Sequence, residues 1–371
     1  MDIKQLRDGI DEIDSDILKF FMERMKLCKG VADYKKEHDM PVFQGGREQE
    51  IIDRITELTA DKRLEKGTAA LFTTIMDISK ILQNRLILAD TTEHDYPAPD
   101  FAGAKSVGCQ GTSGANSEVA ARSIFGDREF TFFRSFEDVF KAVHEGVIDY
   151  GVLPVQNSTA GSVSSTYDLM AKYPVYIVKE VIIEINHCLA AKNDIPLSEV
   201  KKVYSHPQAL AQCDSFLRDN GLKTSEYGNT ATAAVKVMES DENIAAICSV
   251  QCAQQMGMKI LATDIADVSV NRTQFIVISK EMQVAPESDS VSVMLSIPHK
   301  EGSLYRLLTK FYVNDMNLIR IESRPIRDGS FNVMFFLDFS GKLTDPTVQA
   351  VMRDLSENLE TFRCIGTFKS E

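Results

Sequence analysis

Arg24 interrupts an apolar helical stripe at a position that calls for an aliphatic side chain. The stripe runs Ile3, Leu6, Ile10, Ile13, Ile17, Phe20, Leu27 and Val31, the alternating three-and-four spacing of one helix face. Lys35 follows eleven residues later, in almost the same angular direction and about 16 Å along the axis. Buried cations are costly unless an anion meets them, so the pair calls for acidic side chains or for a small anionic ligand. Arg7 and Arg47 are further candidate cations, and Glu48, Ser79 and Gln83 are candidate polar partners. Ser79 and Gln83 stand one turn apart and follow Phe72 and Met76 along an otherwise apolar face. Arg7 precedes Arg24 by seventeen residues, about 25 Å on a straight helix. One chain therefore cannot bring both to one small ligand, whereas a dimer of antiparallel helices can.

A second group of polar strings lies in the middle of the chain. These are Gly108-Cys109-Gln110-Gly111-Thr112-Ser113-Gly114, Pro154-Val155-Gln156-Asn157-Ser158, Ser205-His206-Pro207-Gln208 and Arg272-Thr273-Gln274-Phe275. The glycine string joins a strand to a helix start. It reads as a backbone cradle for an anion or, equally, as a plain tight turn, and it is no nucleotide-binding fingerprint. His206, before Pro207 at a strand-to-helix junction, is the type of residue that caps or packs more often than it catalyses. Near the C-terminus, Gly302-Ser303-Leu304-Tyr305 reads as a helix start and Glu322-Ser323-Arg324-Pro325 as a strand-ending turn.

Three blocks must position these residues. Residues 1–90 read as all helix: one to about His38, a break at Met40-Pro41-Val42, a second carrying Ile51, Ile52, Ile55 and Leu58 after Gly45-Gly46, and a third after Gly67 with Leu71, Ile75, Ile78 and Leu82 as its stripe. Asp90 to Ala104, acidic and carrying Pro97 and Pro99, reads as a linker. Residues 105–281 alternate short β-rich runs with helical patterns, which predicts an α/β domain with largely parallel pairing. Its strands are expected at Ser106–Cys109, Tyr150–Leu153, Lys202–Tyr204, Ile244–Ile247 and Phe275–Ile278. Its helices are expected at Asn116–Phe125, Phe136–Glu145, Pro207–Asn220 and Thr230–Met238. Residues 290–371 follow the β-α-β-β-α-β order of an α+β ferredoxin-like fold. The elements there are Val291–Ile297, Leu304–Val313, Ile319–Ser323, Asn332–Phe339, Thr347–Leu359 and Arg363–Thr367.

Composition narrows the function. The 371 residues are long enough for several domains, and their net charge of −13 argues against nonspecific binding to nucleic acid or to an anionic membrane. No run of apolar residues is long enough for a transmembrane helix, and the N-terminus has no signal-peptide pattern. Seven cysteines without a C-x-x-C pair suggest reduced thiols and a cytoplasmic protein. Cys248 and Cys252, one turn apart on an expected helix, read as packing residues. The six histidines form no ligand spacing, so no metal or organic cofactor is expected.

The helical block closely resembles the all-helical chorismate mutase family, on Arg7, Arg24, Lys35, Gln44, Arg47, Glu48, Ser79 and Gln83. Gln44 stands where the family usually has Asp. The resemblance implies rearrangement of chorismate to prephenate, an intramolecular reaction that needs a compact bound geometry and stabilised charge on the breaking ether oxygen. It implies Lys35 and Gln83 at that oxygen, Arg24, Ser79 and the second copy's Arg7 at the carboxylates, and Glu48 at the ring hydroxyl. The middle block resembles prephenate dehydratase, with its two-lobed α/β fold, on Asn157 to Val163, Ser205 to Cys213 and Thr273. The implied reaction releases water and CO2 to give phenylpyruvate, with Thr273 assisting hydroxide departure and Asn157, Ser205, His206 and Gln212 around it. The block departs from the family at Gln274, where the motif has arginine, at Gln156, where glutamate is usual, and at Ser113 to Ser117. Arg272, on the same strand face as Gln274, is a candidate replacement for the missing charge.

The last block resembles the ACT regulatory domain. The resemblance implies phenylalanine binding by Gly302, Ser303, Leu304, Glu322, Ser323, Arg324 and Pro325 between two such domains, hence a homodimer or larger assembly. The expected protein is thus a phenylalanine-regulated bifunctional enzyme. The rival reading is a mutase whose middle block has become a binding and coupling module. Arg24→Ala is expected to abolish turnover of chorismate while the far-ultraviolet dichroism of the chain stays unchanged; near-normal kinetics would remove the anion-site reading.

Overall fold

The computed structural model describes residues 2–88, 96–268, 270–326 and 333–370. Two compact units divide the chain: Met1–Asp95 with Val293–Cys364, and Tyr96–Ser292 with Ile365–Glu371. Residues 90–95 of the expected linker lie outside the described residues.

The N-terminal block consists of α1 (Ile3–Glu37), α2 (Gly45–Leu58) and α3 (Glu65–Leu88). A reciprocal cap starts α1: Asp2 accepts from the Gln5 amide at 2.8 Å, and the Gln5 side chain accepts from the Asp2 amide at 3.1 Å. The long helix buries only Met25, Ala32 and Lys35. Ile3, Ile10, Ile13, Ile17 and Phe20 are each more than half exposed, so the apolar seam is not core within one chain. On α3 the expected stripe is displaced: Leu71 is exposed and Ile75, Ile78 and Leu82 are half-buried. The inner face instead buries Met76, Asp77, Ser79, Lys80, Ile81, Gln83 and Asn84. Of the polar side chains on that face, Asp77 and Lys80 pair with each other and Ser79 meets Arg24, whereas the Asn84 amide has no partner among the described residues.

The middle unit runs through β1 (Val107–Gln110), α4 (Asn116–Phe125), β2 (Thr131–Phe133), α5 (Phe136–Glu145), β3 (Tyr150–Asn157), β4 (Gly161–Ser162), α6 (Ser164–Lys172), β5 (Tyr176–Glu184) and β6 (His187–Ala191). It continues with β7 (Lys202–Ser205), α7 (Pro207–Ala211), α8 (Asp214–Asp219), β8 (Thr224–Glu226), α9 (Thr230–Glu239), β9 (Ile244–Ser249), α10 (Val250–Gln255), β10 (Lys259–Ala262) and β11 (Arg272–Ser279). One lobe orders its strands β2-β1-β3-β11-β5, and the other β10-β6-β9-β7-β8. The pairing is mixed rather than largely parallel. β1 pairs parallel with β2 and β3, but β11 runs antiparallel to both β3 and β5, and β6 antiparallel to β9 and β10. The chain crosses between lobes after β5 and returns into β11, so it inserts one lobe within the other. The helix expected over Pro207–Asn220 breaks into α7 and α8 at Gln212-Cys213. Cys248 and Cys252 do not share a helix; Cys248 ends on β9 and Cys252 sits on α10, both buried.

The C-terminal block is β12 (Ser290–Ser296), α11 (Ser303–Tyr312), β13 (Leu318–Pro325), β14 (Val333–Ser340), α12 (Pro346–Asn358) and β15 (Phe362–Phe368). The β-α-β-β-α-β order stands, with strands arranged β13-β14-β12-β15; Asn332 of the expected third strand lies outside the described residues. Both α11 and α12 pack against α3 within the first unit.

Gly366 on β15 pairs with Ile177 of β5 inside the middle unit. A β-carbon there would collide with the Ile177 carbonyl oxygen, and the backbone φ of 154° adds strain for any L side chain. Gly366→Ala is therefore expected to destabilise the protein by about 2 kcal/mol or more. Urea unfolding followed by tyrosine fluorescence checks this, and an unchanged midpoint would contradict it.

Candidate active sites

In the helical block, Arg24 on α1 faces Ser79 on α3, and Arg24 Nη1 donates to Ser79 Oγ at 2.5 Å. Ser79 in turn donates to the Ile75 carbonyl at 2.7 Å, and a weak contact from Arg24 reaches the Cys28 sulfur at 3.8 Å. Among the described residues no carboxylate pairs with this guanidinium. Lys35 is 8% exposed, and its Nζ donates to the Val42 carbonyl at 2.7 Å. Burial lowers its pKa, an effect the negative charge of Glu48 partly offsets. Gln83, one turn beyond Ser79, donates to the Ser79 carbonyl at 3.2 Å and leaves its buried Oε1 without a partner.

Glu48 lies in the first turn of α2, where a carboxylate suits the helix dipole. It accepts from Lys80 at 3.0 Å and from Arg306 of α11 at 3.3 Å. Gln44 caps α2 with its backbone, its carbonyl accepting from the Glu48 amide at 3.1 Å, while its side chain makes no cap. Arg47 turns outward to Glu50 at 3.0 Å, and Arg7 is exposed on the first turns of α1. One chain thus gathers Arg24, Ser79 and Gln83 along α1 and α3, and sets Lys35 and Glu48 close enough to couple. It does not bring Arg7 or Arg47 to them. The sequence reading missed Asp77, Lys80 and Arg306; Asp77 and Lys80, three apart on the inner face of α3, were its available signal.

The middle unit carries a cleft of about 380 Å³ between its lobes. It lies where strands end and helices begin, the usual ligand position in an α/β sheet. Asn157 closes β3 and is its centre. Its Nδ2 donates to Thr273 Oγ1 at 2.8 Å and to Asn271 Oδ1 at 2.8 Å. Its Oδ1 accepts from the Thr159 hydroxyl at 2.7 Å and the Ala160 amide at 3.0 Å. Gln212, at the break between α7 and α8, donates to Thr159 Oγ1 at 2.5 Å and accepts from Asn271 at 3.2 Å. The ring Nε2 of His187 meets Gln212 Oε1 at 3.0 Å. That oxygen can only accept, so the imidazole is the Nε2–H tautomer. Its Nδ1 is buried and unpaired, and burial lowers the pKa, so the ring is held neutral.

Strand alternation sorts the remaining candidates. Thr273 and Phe275 line the cleft, whereas Gln274 turns to the other side and donates to Glu180 at 2.5 Å. Arg272 is exposed and also absent from the cleft wall, so it supplies no charge there. Gln156 lies opposite Gln274 on β3, likewise off the wall. Ser205 is fully buried and donates to the Ile247 carbonyl at 2.7 Å, a structural task. His206 both lines the cleft and caps α7, its Nδ1 accepting from the Gln208 amide at 3.2 Å. The glycine string does cradle an anion, but an internal one: the Gly114 amide donates to the buried Glu118 carboxylate at 2.6 Å, which Arg122 pairs at 2.7 Å. Asn116 and Ser117 of α4, and Asn229 and Thr230 at the start of α9, complete the wall. His187 opens β6, Asn271 precedes β11 and Asn229 caps α9, and no local pattern in the sequence singles them out; Thr159 enters the sequence reading only within the string from Asn157 to Val163.

Two family profiles match the chain: chorismate mutase type II over residues 6–84, and prephenate dehydratase over residues 107–283. A bifunctional chorismate mutase/prephenate dehydratase from Aquifex aeolicus is 32% identical over 99% of this chain and 98% of its own length. Among solved structures, a prephenate dehydratase from Arthrobacter aurescens in complex with L-Phe superposes with a TM-score of 0.66. It is 26% identical and covers 71% of this chain and 90% of its own. A structure described as a quorum-quenching acylase gives a TM-score of 0.65 at 26% identity over 72% of this chain and 98% of its own. The chain belongs to the bifunctional chorismate mutase/prephenate dehydratase family. Its helical block is a chorismate mutase domain and its α/β unit a prephenate dehydratase domain.

The state of His187 has a measurable consequence. A histidine whose folded pKa is depressed binds its proton more readily in the unfolded chain. Stability is then present above the ordinary histidine range, near pH 6.5, and is lost as pH falls towards the folded value, by at most about 1.4 kcal/mol per pH unit. Urea unfolding between pH 7.5 and 5 is expected to show this loss, with a shallower slope in His187→Gln. Equal slopes would contradict the neutral, buried ring.

Proposed function

We propose that chorismate binds between α1 and α3 with Arg24 and Ser79 at its carboxylates, Lys35 and Gln83 at the breaking ether oxygen, and Glu48 at the ring hydroxyl. The unpaired guanidinium of Arg24 carries this reading. A half-buried cation that meets only a hydroxyl and a thiol is an open site for an anion. Gln44 and Arg47 frame the site from the start of α2, Gln44 through its backbone. The reaction needs no nucleophile or proton shuttle. The two bound carboxylates hold the reacting ends together, and the Lys35 ammonium and an amide donor meet the charge growing on the ether oxygen. Arg7 comes from a second copy laid antiparallel along α1, which also covers the exposed seam from Ile3 to Phe20. The closed two-fold arrangement makes both sites at once.

Prephenate then binds in the cleft of the middle unit. Asn157 donates to Thr273 Oγ1, so the oxygen lone pair is engaged and the hydroxyl proton is free to reach the departing hydroxide of the substrate. Loss of CO2 and aromatisation of the ring follow. The substrate's carboxylates find side-chain amides and the starts of α4 and α9 rather than an arginine, with His206 on the same wall. The departures at Gln274 and Gln156 lie off that wall, which favours a working dehydratase over a silent coupling module. Phenylalanine acts as effector at Gly302, Ser303 and Leu304 of one C-terminal block and Glu322, Ser323, Arg324 and Pro325 of a second copy. Gly302 opens α11 in the left-handed conformation, and Ile319 and Ile321 on β13 leave an apolar face for that second copy.

Purified protein given chorismate is expected to release phenylpyruvate and to slow when phenylalanine is added. Thr273→Val should lower phenylpyruvate formation at least about 100-fold while chorismate is still consumed at the original rate. Accumulation of prephenate by the unsubstituted protein would defeat the dehydratase half of the reading. A rate unmoved by phenylalanine would defeat the effector half.

A further inference from the structure

The carboxylate assigned to the chorismate ring hydroxyl is held by a residue from the other end of the chain. Arg306, in the first turns of α11, forks onto Asp77 with two bonds of 2.8 Å, from Nε and Nη2. The same Nη2 reaches Glu48 at 3.3 Å. Lys80 bridges the same two carboxylates, at 3.0 Å to each. Lys310, one turn along α11, meets Asp77 at 3.2 Å and Asp354 of α12 at 2.5 Å. Three carboxylates and three cations thus balance, and Asp77, Lys80, Lys310 and Asp354 are nearly inaccessible to solvent. Although burial opposes its charge, Asp77 is held well below the usual carboxylate range by Arg306, Lys310 and Lys80. Arg306 is held charged by Asp77 in the same way.

Glu48 is the one member of this cluster that also belongs to the mutase site, and the one with the looser contacts. Its direction is set by Lys80 and Arg306 together. The neighbouring Phe43, on the loop that leads into α2, lies against the same helix in a pocket of about 160 Å³ shared with Ser303, Arg306, Leu307 and Lys310. We infer that Arg306 is a positioning residue for the mutase reaction: the C-terminal block completes the mutase site by fixing the Glu48 carboxylate. Removing Arg306 leaves Glu48 with Lys80 alone, free to swing towards Asp77's vacated side, and its hydrogen bond to the ring hydroxyl loses its geometry.

This rests on Glu48 acting in the mutase site, and the test separates the two claims. Mutase and dehydratase rates would be measured on the same full-length preparations of Arg306→Ala, Arg306→Gln, Glu48→Gln and the Arg306→Ala/Glu48→Gln pair. Arg306→Gln keeps a donor for Asp77 and so guards against a fold lost to an unpaired buried charge. Both Arg306 variants are expected to lower mutase kcat/KM about tenfold with prephenate turnover unchanged. In the Glu48→Gln background, loss of Arg306 should then cost nothing further. Lys66→Ala, which breaks the exposed Lys66–Glu301 pair between the same two blocks, should leave the mutase unaltered. Independent, multiplying losses in the double variant, an equal loss in Lys66→Ala, or Arg306 variants with full mutase activity would each overturn the positioning role. Full activity in Glu48→Gln would overturn the site assignment itself and the inference with it.

Discussion

A charge taken out of water must be matched, and α3 meets that requirement in two opposite ways on adjacent faces. Asp77 and Lys80 are matched by the protein itself, through Glu48, Arg306, Lys310 and Asp354. On the neighbouring face, Ser79 meets an arginine that no carboxylate answers among the described residues, and Gln83 stands one turn further along. The matched face fixes the helix against α11 and α12, and the other face keeps Arg24 on Ser79 without a carboxylate among the described residues. Were the first face apolar, the helix could slide or rotate and the Arg24–Ser79 register would not be kept.

The cleft of the dehydratase domain is lined by many neutral dipoles in place of a few charges. Asn157, Asn271, Gln212, Thr159 and Thr273 form one continuous hydrogen-bonded chain, anchored at its end by a histidine kept neutral by burial. Each amide uses both its donor and its acceptor, so the network has one consistent orientation. Thr273 is left as a hydroxyl whose proton has no partner within that network. The same geometry explains why the motif arginine can be absent. On β11 that position faces Glu180, across the sheet from the cleft, where a glutamine can still satisfy the carboxylate.

The C-terminal block therefore has two outward connections of different character. Its edge strand β13 leaves Ile319 and Ile321 exposed. Its helices offer cations to α3 and α2 of its own chain. A C-terminal block tied by buried ion pairs to a helix of the mutase domain is mechanically coupled to it, because such pairs are costly to break one at a time.

Local patterns with a strong physical cause were legible in the sequence. The long first helix, the bounds of α4 and α5, and the β-α-β-β-α-β order of the C-terminal block follow from periodicity and turn residues. So did the anomaly at Arg24, because one charge breaking an apolar spacing is visible without a structure. Strands such as β2, β5 and β6 were missed, being short or lacking clear turn signals, and the antiparallel pairing of β5 with β11 and of β6 with β9 and β10 comes from a crossover between lobes that no local pattern encodes. Which side of β11 faces the cleft, whether Ser205 or His187 lines it, and that Arg306 should reach Glu48 across 258 residues of chain were decided only by tertiary structure. Residue type and spacing set what each side chain can bond to. Long-range packing alone determines which partners arrive, and whether a buried charge is answered from within or left for a ligand.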